Sequence, residues 1–412
     1  MKNMGINILF LTLAKISNLQ EETFYTDLLN EFVNQGCNVY GITPIEKRDQ
    51  KRDYVEHKGS FHLLHVNIGN YFHTGKFQKG ITLLTLESKY IRGIKRYLKG
   101  IRFDLILYAT PPVCLVRVIA YIKQRDKAKS YLMLKDIFPQ NAVDLGMMKK
   151  GGIYKPLYWY FRRKEKRLYA ISDHIGCMSK GNVHYILKHN PEIDRRKTEV
   201  CPNAAVVIDK SLTDKERVKV REKYAIPLDA AVFIYGGNLG KPQGIDFLIQ
   251  CLERMRGRKD CFFLIVGDGT EYGKLEKYIK KYDPVNIRLM RKQNKADYEQ
   301  IAGACDVGMI FLDYRFTIPN IPSRLLSYMT VKLPVLAVTD PNTDIGKIAA
   351  AGKFGWWCES NSVDAFEAAV ENCLVWDLKG YGENGFQYME ENYSVKVCCS
   401  IIMRSYKRND EG

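Results

Sequence analysis

Three groups of residues in the second half of the chain have types and spacings suited to holding an anion. The first lies within residues 313–340, DYRFTIPNIPSRLLSYMTVKLPVLAVTD. Pro319 and Pro322 keep the approach extended, and Ser323 is a good N-cap for a short helix that begins there. Arg324 sits in the first turn, and Leu325, Tyr328 and Met329 fall on one inward face. Residues 335–338 read as a buried parallel strand. A helix N-terminus attracts anions through its free N–H groups and dipole, and an Arg beside it adds a fork matched to two phosphate oxygens. An ordinary loop–helix–strand unit with a solvated Arg is the other reading of this stretch. The second group follows a strand at 231–235: Gly236-Gly237-Asn238-Leu239-Gly240-Lys241-Pro242-Gln243-Gly244, then a helix over 245–255. Its glycines allow close backbone approach to an anion. The spacing is neither that of a Walker A loop nor G-x-G-x-x-G. The third group is Gly267-Asp268-Gly269 at the end of a strand over 261–266, with Arg291-Lys292 after a further strand at 287–290. Glycines or Arg on one edge of one sheet are the layout of a nucleotide-diphosphate pocket.

These loops need a parallel sheet behind them, and the first half of the chain shows the same construction. A strand over 6–13, a helix over 24–35 stopped by Gly36, and a strand over 37–42 open a doubly wound domain. A third strand at 63–66, a helix over 82–98, a strand at 105–108, a helix over 113–124 and a strand at 129–134 continue it. Ala109-Thr110-Pro111-Pro112 and Lys135-Asp136-Ile137-Phe138-Pro139-Gln140-Asn141 are turns at carboxyl ends of strands, where open α/β sheets bind ligands. A strand over 174–178 is expected to close this domain, with the crossover at Pro202-Asn203.

With 412 residues the chain has room for two domains of about 200 residues each. Its eleven cysteines contain no C-x-x-C pair, and Cys398-Cys399 are adjacent, which suits neither a simple disulfide nor a metal site. Free thiols in a reducing cytoplasm are expected. The seven His show no metal-ligand spacing, so no metal is expected. The apolar run at 6–13 is too short for a secretory signal, and no run approaches the roughly 20 residues of a membrane span. Residues 1–200 hold 34 Lys and Arg against 18 Asp and Glu, whereas residues 201–412 hold 29 against 28. The basic excess of the first half implies an anionic partner: a nucleic acid, an acidic glycan or a bilayer surface. Residues 153–170, IYKPLYWYFRRKEKRLYA, are aromatic and basic at once. They read either as a core-packed helix with a solvated basic face or as an interfacial helix against anionic lipid. No recognised nucleic-acid motif accompanies the charge.

The order G-G-N-L-G…Q-G, V-G-D-G and P-S-R-x-x-x-Y-M-x-x-x-x-P-V-L-A resembles the donor domain of the GT-B retaining glycosyltransferases of family 4. A-T-P-P and D-I-F-P-Q-N-A-V-D-L-G in the first half are similar to the bacterial surface-polysaccharide branch that includes the L-fucosamine transferases. Pro202-Asn203-Ala204 sits where the family has its crossover, and residues 388–394 resemble its final helix. The resemblance covers essentially the whole chain. It implies an α/β GT-B fold: an acceptor-side Rossmann-like domain over 1–203, a nucleotide-sugar domain over 204–385, and a helix over 386–412 crossing back to the first. It implies transfer of a sugar from a nucleotide-diphosphate sugar, with retention and no obligatory metal or cofactor, to a glycan or polyprenyl-diphosphate-linked acceptor. The expected place is the cytoplasmic face of the plasma membrane. By match, Gly237, Asn238, Gly240 and Gln243 line the phosphates, Ser323 and Arg324 bind the diphosphate with Arg291 as a further candidate, and Gly267 and Gly269 lie near the nucleoside. Arg324 would neutralise the leaving diphosphate. Asp136 is the candidate acceptor-side base or positioning group, a helix-capping or structural Asp being the other reading. The chain departs from the pattern at Ser327 and Pro319, where the family has its Glu pair, and at Leu333, where a Gly is common; Ser327 stays a donor-binding candidate, since a Ser still hydrogen-bonds a ribose hydroxyl, more weakly than a carboxylate. Two alternatives therefore accompany the transferase reading: a catalytically silent GT-B partner subunit, and a nucleotide-sugar 2-epimerase on the same fold.

Overall fold

The computed structural model describes residues 5–408 apart from 22 and 73. The chain divides into two compact units, residues 1–206 with 395–412, and residues 207–394. The crossover therefore lies three residues beyond the expected break at 203. The expected break at 386 falls inside a helix, Leu378–Asn392, that packs on the helix Arg324–Thr330 of the second unit. A separate helix, Val395–Lys407, belongs to the first unit and packs on the helix Phe24–Asn34. Residues 409–412 of the expected closing segment lie outside the described residues.

The first unit is built on eight strands: β1 (Asn7–Leu11), β2 (Asn38–Ile45), β3 (Tyr54–Lys58), β4 (Phe61–Asn67), β5 (Leu105–Ala109), β6 (Lys129–Leu134), β7 (His174–Cys177) and β8 (Thr198–Val200). Their order is β3-β4-β2-β1-β5-β6-β7-β8, parallel except for β3, which pairs antiparallel with β4. Central strands such as β5 are buried throughout, as helices on both faces of a parallel sheet require. Two strands depart from the sequence expectation. β3 is a polar edge strand with no apolar run to announce it. β8, three residues long, lies beyond β7, so the strand at 174–177 does not close the sheet. Helix Val395–Lys407 inserts Cys398, Cys399, Ile402 and Met403 into the core formed by Phe10, Leu29, Phe32 and Leu107. Its Ser405 hydroxyl donates to Glu199 Oε1 (2.5 Å), which also accepts from the Tyr131 hydroxyl (3.0 Å). All eleven cysteines are buried and free, behaving as small core residues.

The second unit has six parallel strands: β9 (Ala231–Asn238), β10 (Cys261–Asp268), β11 (Ile287–Met290), β12 (Val307–Phe311), β13 (Val335–Thr339) and β14 (Gly355–Glu359), in the order β11-β10-β9-β12-β13-β14. The order reverses direction between β9 and β12, the switch point at which such sheets open a crevice at their carboxyl ends. β9 and β10 remain paired to their last residues, Gly237 opposite Gly267 and Asn238 opposite Asp268. Phe233, Phe263, Phe311 and Phe366 fill the core beneath.

Candidate functional site

At the carboxyl edge of the second sheet the glycine loop is held from two sides. A Cβ on Gly267 would run into the Gly237 carbonyl oxygen, and one on Gly269 into the backbone of Leu239. Leu239 N–H donates to Asp268 O (2.9 Å) and Glu271 N–H to Leu239 O (2.9 Å). On the other side Asp313 N–H donates to Pro242 O (2.9 Å), and a Cβ on Gly244 (φ +59°) would press on the Asp313 backbone. Gly267 and Gly269 thus serve close packing of two loops. The side chains of Asn238 and Gln243 shape the same loop, since Gln243 Oε1 accepts from Gly240 N–H (3.1 Å) and from Asn238 Nδ2 (3.0 Å).

Arg324 comes to this loop from below. Its guanidinium lies over the Tyr235 ring, 4.3 Å from the centroid, a cation–π stack that orients the fork. Nη2 lies 3.5 Å from where a Cβ on Gly237 would stand, so the guanidinium abuts the Gly237 backbone. Nη1 is buried and has no hydrogen-bond partner. Burial disfavours its charge, but its contacts with Tyr235 and Tyr328 more than offset this and shift it upward, and a guanidinium is in any case always cationic. A buried guanidinium N–H without a protein acceptor is costly, so this one can take an acceptor supplied from outside the chain.

Two tyrosines that sequence reasoning did not assign to the site support this arrangement. Tyr328, one turn after Arg324, is fully buried. Its hydroxyl accepts from Gly236 N–H (3.2 Å) and donates toward Met309 O (3.0 Å) and Ile234 O (3.2 Å), stapling β9 to β12 at the switch point. Gly308 makes room for its ring. Tyr298 packs under Gly236, where a Cβ would strike its ring and hydroxyl. Tyr328 was legible as an inward residue on one face with Leu325 and Met329. Tyr298 carried no local signal.

The remaining candidates divide. Ser323 is exposed, with φ −62° and ψ −20°, and makes no side-chain cap bond, so the expected capping role is corrected. The preceding Pro322 already takes a turn bond from Leu325 N–H (3.1 Å), which leaves the Ser323 hydroxyl free of that duty. Ser327 is half-buried one turn along. Arg291 is exposed, pairs with Asp268 (3.3 Å) and lies over Tyr272 at 3.6 Å, so its charge is partly committed. Among the described residues no group of three or more His, Cys, Asp or Glu is placed to hold a metal ion.

Residues 216–375, most of the second unit, match the family model "Glycosyl transferases group 1". Over that span the second unit is similar to the glycosyl transferases of group 1. The probable glycosyltransferase WbjE of Pseudomonas aeruginosa is 24% identical over 321 residues, 76% of this chain and 77% of its own length. The putative colanic acid biosynthesis glycosyl transferase WcaI of Escherichia coli (strain K12) is 20% identical over 276 residues, 66% of each chain. Among solved structures, HepE of Anabaena in complex with UDP superposes with a TM-score of 0.69 at 12% identity, covering 97% of this chain and 99% of that one. The fold is GT-B, two Rossmann-like α/β units. The group 1 match spans both the glycine loop and Arg324.

Asp136 stands in the first unit, just past the carboxyl end of β6. Thr110 Oγ1 accepts from Lys135 N–H (3.2 Å) and Asp136 N–H (3.3 Å) and donates to Asp136 O (2.9 Å), fixing the backbone. Asn141 Nδ2 donates to Asp136 Oδ2 (2.6 Å). Burial pushes the carboxyl up to about 6, against a backbone hydrogen bond from Ile137. The nearby helix Gln140–Asp144 has Pro139 at its N-cap position, so Asp136 does not cap it. A carboxyl poised near neutrality suits proton transfer.

The helix Lys155–Ile171 buries Tyr158, Glu165, Leu168 and Tyr169 and sets Phe161 edge-to-face against Phe138 (centroids 5.0 Å apart). Its outer face carries Leu157, Trp159 and Tyr160 beside Lys155, Arg163, Lys166 and Arg167, all exposed. Ile153, 88% exposed, and Met147 lie just before it. No described helix is long and apolar enough to cross a membrane.

Proposed function

We propose that the protein transfers a glycosyl unit from a nucleotide-diphosphate sugar to a glycan or polyprenyl-linked acceptor in bacterial surface-polysaccharide assembly, with retention of configuration. The observation that carries the reading is the buried, unpartnered Nη1 of Arg324 beneath the Gly237 backbone. A diphosphate on this loop would accept from that N–H, and the guanidinium would offset charge as the diphosphate leaves. Neither step calls for a metal. Asp136 acts on the acceptor side, taking or orienting the proton of the attacking hydroxyl. The relatives support the class: WcaI is named for colanic acid biosynthesis, and HepE holds UDP. A thermal-shift screen with UDP, GDP, TDP and ADP tests the donor. A ligand at 100 times its Kd stabilises its site by about 2.7 kcal/mol. For a unit near 200 residues that is a rise of about 5–10 °C. One nucleoside diphosphate should give it and its nucleoside should not. No rise with any diphosphate at millimolar concentration overturns the reading.

The acceptor is held at a membrane, on the cytoplasmic side. The motivation is the outer face of Lys155–Ile171, where aromatic and cationic side chains stand together without protein cover, on the half of the chain that carries the basic excess. Trp and Tyr suit the headgroup layer and Lys and Arg the anionic surface. The protein is expected to sediment with anionic vesicles at low salt and to release at high salt, since exposed charges are screened over about 8 Å at physiological ionic strength. Trp159→Ala with Tyr160→Ala should weaken that binding. Equal binding to neutral vesicles, or tighter binding to double-stranded DNA, counts against it.

A further inference from the structure

The segment leading to Arg324, residues 312–323, has neither helix nor strand to define it. Its start is fixed by Asp313, and its later part is held from the exit of β13. Asn342 Nδ2 donates to Phe316 O (2.8 Å), and Asn320 N–H donates to Thr343 Oγ1 (3.1 Å). Thr343 Oγ1 donates in turn to Asp340 Oδ2 (2.8 Å), while Asp340 Oδ1 accepts from Asn342 N–H and Thr343 N–H, both 2.9 Å. Asp340 and Thr343 are buried, and no ion pair to Asp340 occurs among the described residues. Burying a carboxylate without a counter-charge is expensive unless its oxygens are used. Here both are used on one task. By accepting the Thr343 hydroxyl proton, the carboxylate turns the hydroxyl lone pair toward Asn320. Asn320 lies four residues before Arg324, with Pro322 fixing φ between them, so an error of direction at Asn320 passes to the guanidinium.

We propose that Asp340 and Thr343 are positioning residues for Arg324, acting through Asn320 to set the fork at the diphosphate. This rests on Arg324 being the diphosphate ligand. Replacing the Thr343 hydroxyl with a methyl removes both bonds, whereas Ser retains them. Amide hydrogen exchange over residues 316–322 reads the device without reference to any donor. Calorimetry with UDP and GDP, and with uridine and guanosine, reads its consequence. For Thr343→Val, exchange of the segment is expected to quicken about tenfold or more. Diphosphate affinity should fall about tenfold, with nucleoside affinity unchanged. Asp340→Asn, which loses an acceptor position, should match it, and Thr343→Ser should restore parental behaviour in both readouts. Unchanged exchange in Thr343→Val overturns the proposal. So does quickened exchange with parental diphosphate affinity when Arg324→Ala has lost that affinity, and the donor reading then stands. If Arg324→Ala and Thr343→Val both bind diphosphate as the parent does, the donor reading fails and takes the proposal with it.

Discussion

Asp136→Asn is expected to lower turnover by about two to four orders of magnitude, the usual weight of a positioned acid or base, while leaving nucleoside diphosphate affinity near the parent's. The amide is isosteric, and its oxygen still accepts from Asn141, so the loop fixed by Thr110 should persist. The parent should show an acid limb. Burial raises the Asp136 carboxyl to about 6, so below that pH it is protonated and cannot accept a proton, and activity falls as pH drops through about 6. The stability effect has the opposite sense. The native pKa is raised above the unfolded value near 3.9, so the folded state binds the proton more tightly. Deprotonation therefore costs stability as pH rises from about 4 to about 6, and Asp136→Asn removes that dependence. The variant should be at least as stable as the parent at pH 8. A destabilised variant whose surviving protein turns over normally would make Asp136 a structural clamp for the loop and nothing more.

The parts of this molecule that sequence made legible are those where one residue type at one spacing has one physical use. Apolar runs bounded by turn residues placed most strands, because a parallel sheet covered on both faces admits little else. β3 and β8 escaped for the converse reason. An edge strand of Tyr54–Lys58 is held by pairing and not by burial, and three residues at β8 are too few for a pattern. Glycines are ambiguous in principle, since one lacking Cβ can admit a ligand or a neighbouring backbone. A Cβ on Gly237 (φ +124°) would touch only the Arg324 guanidinium, whereas those on Gly267 and Gly269 would strike the opposite loop's backbone. Leu333, where a glycine is common among the proteins it resembles, is not the residue that needs one. The positive φ falls on Lys332, at 53°. Tyr298 and Asp340 show no periodicity, and their meaning appears only through contacts remote in sequence, with Gly236 for the first and, through Thr343, with Asn320 for the second.

Arg324→Ala should weaken nucleoside diphosphate binding by about one to two orders of magnitude. A charge-assisted hydrogen bond contributes roughly 1.5–3 kcal/mol to binding, and each 1.4 kcal/mol is tenfold. Turnover should fall further still, because charge on the departing diphosphate grows in the transition state and the guanidinium, already oriented on Tyr235, is in place to meet it. The folded state has little to lose. The substitution forfeits the stack on Tyr235, but it also removes a buried N–H that has no acceptor, so the unfolding midpoint without ligand should stay near the parent's. Arg324→Lys should recover only part of the affinity. Lys brings a point charge without the fork, and cannot stack flat on the Tyr235 ring. Binding of the nucleoside alone should barely change, because nothing in its chemistry accepts from a cation at this position. Calorimetry with the diphosphate, monophosphate and nucleoside separates these cases. The loss should be greatest for the diphosphate, smaller for the monophosphate and negligible for the nucleoside. If the alanine variant binds all three as the parent does, the buried guanidinium is a structural feature of the β9 edge, and the diphosphate is bound elsewhere.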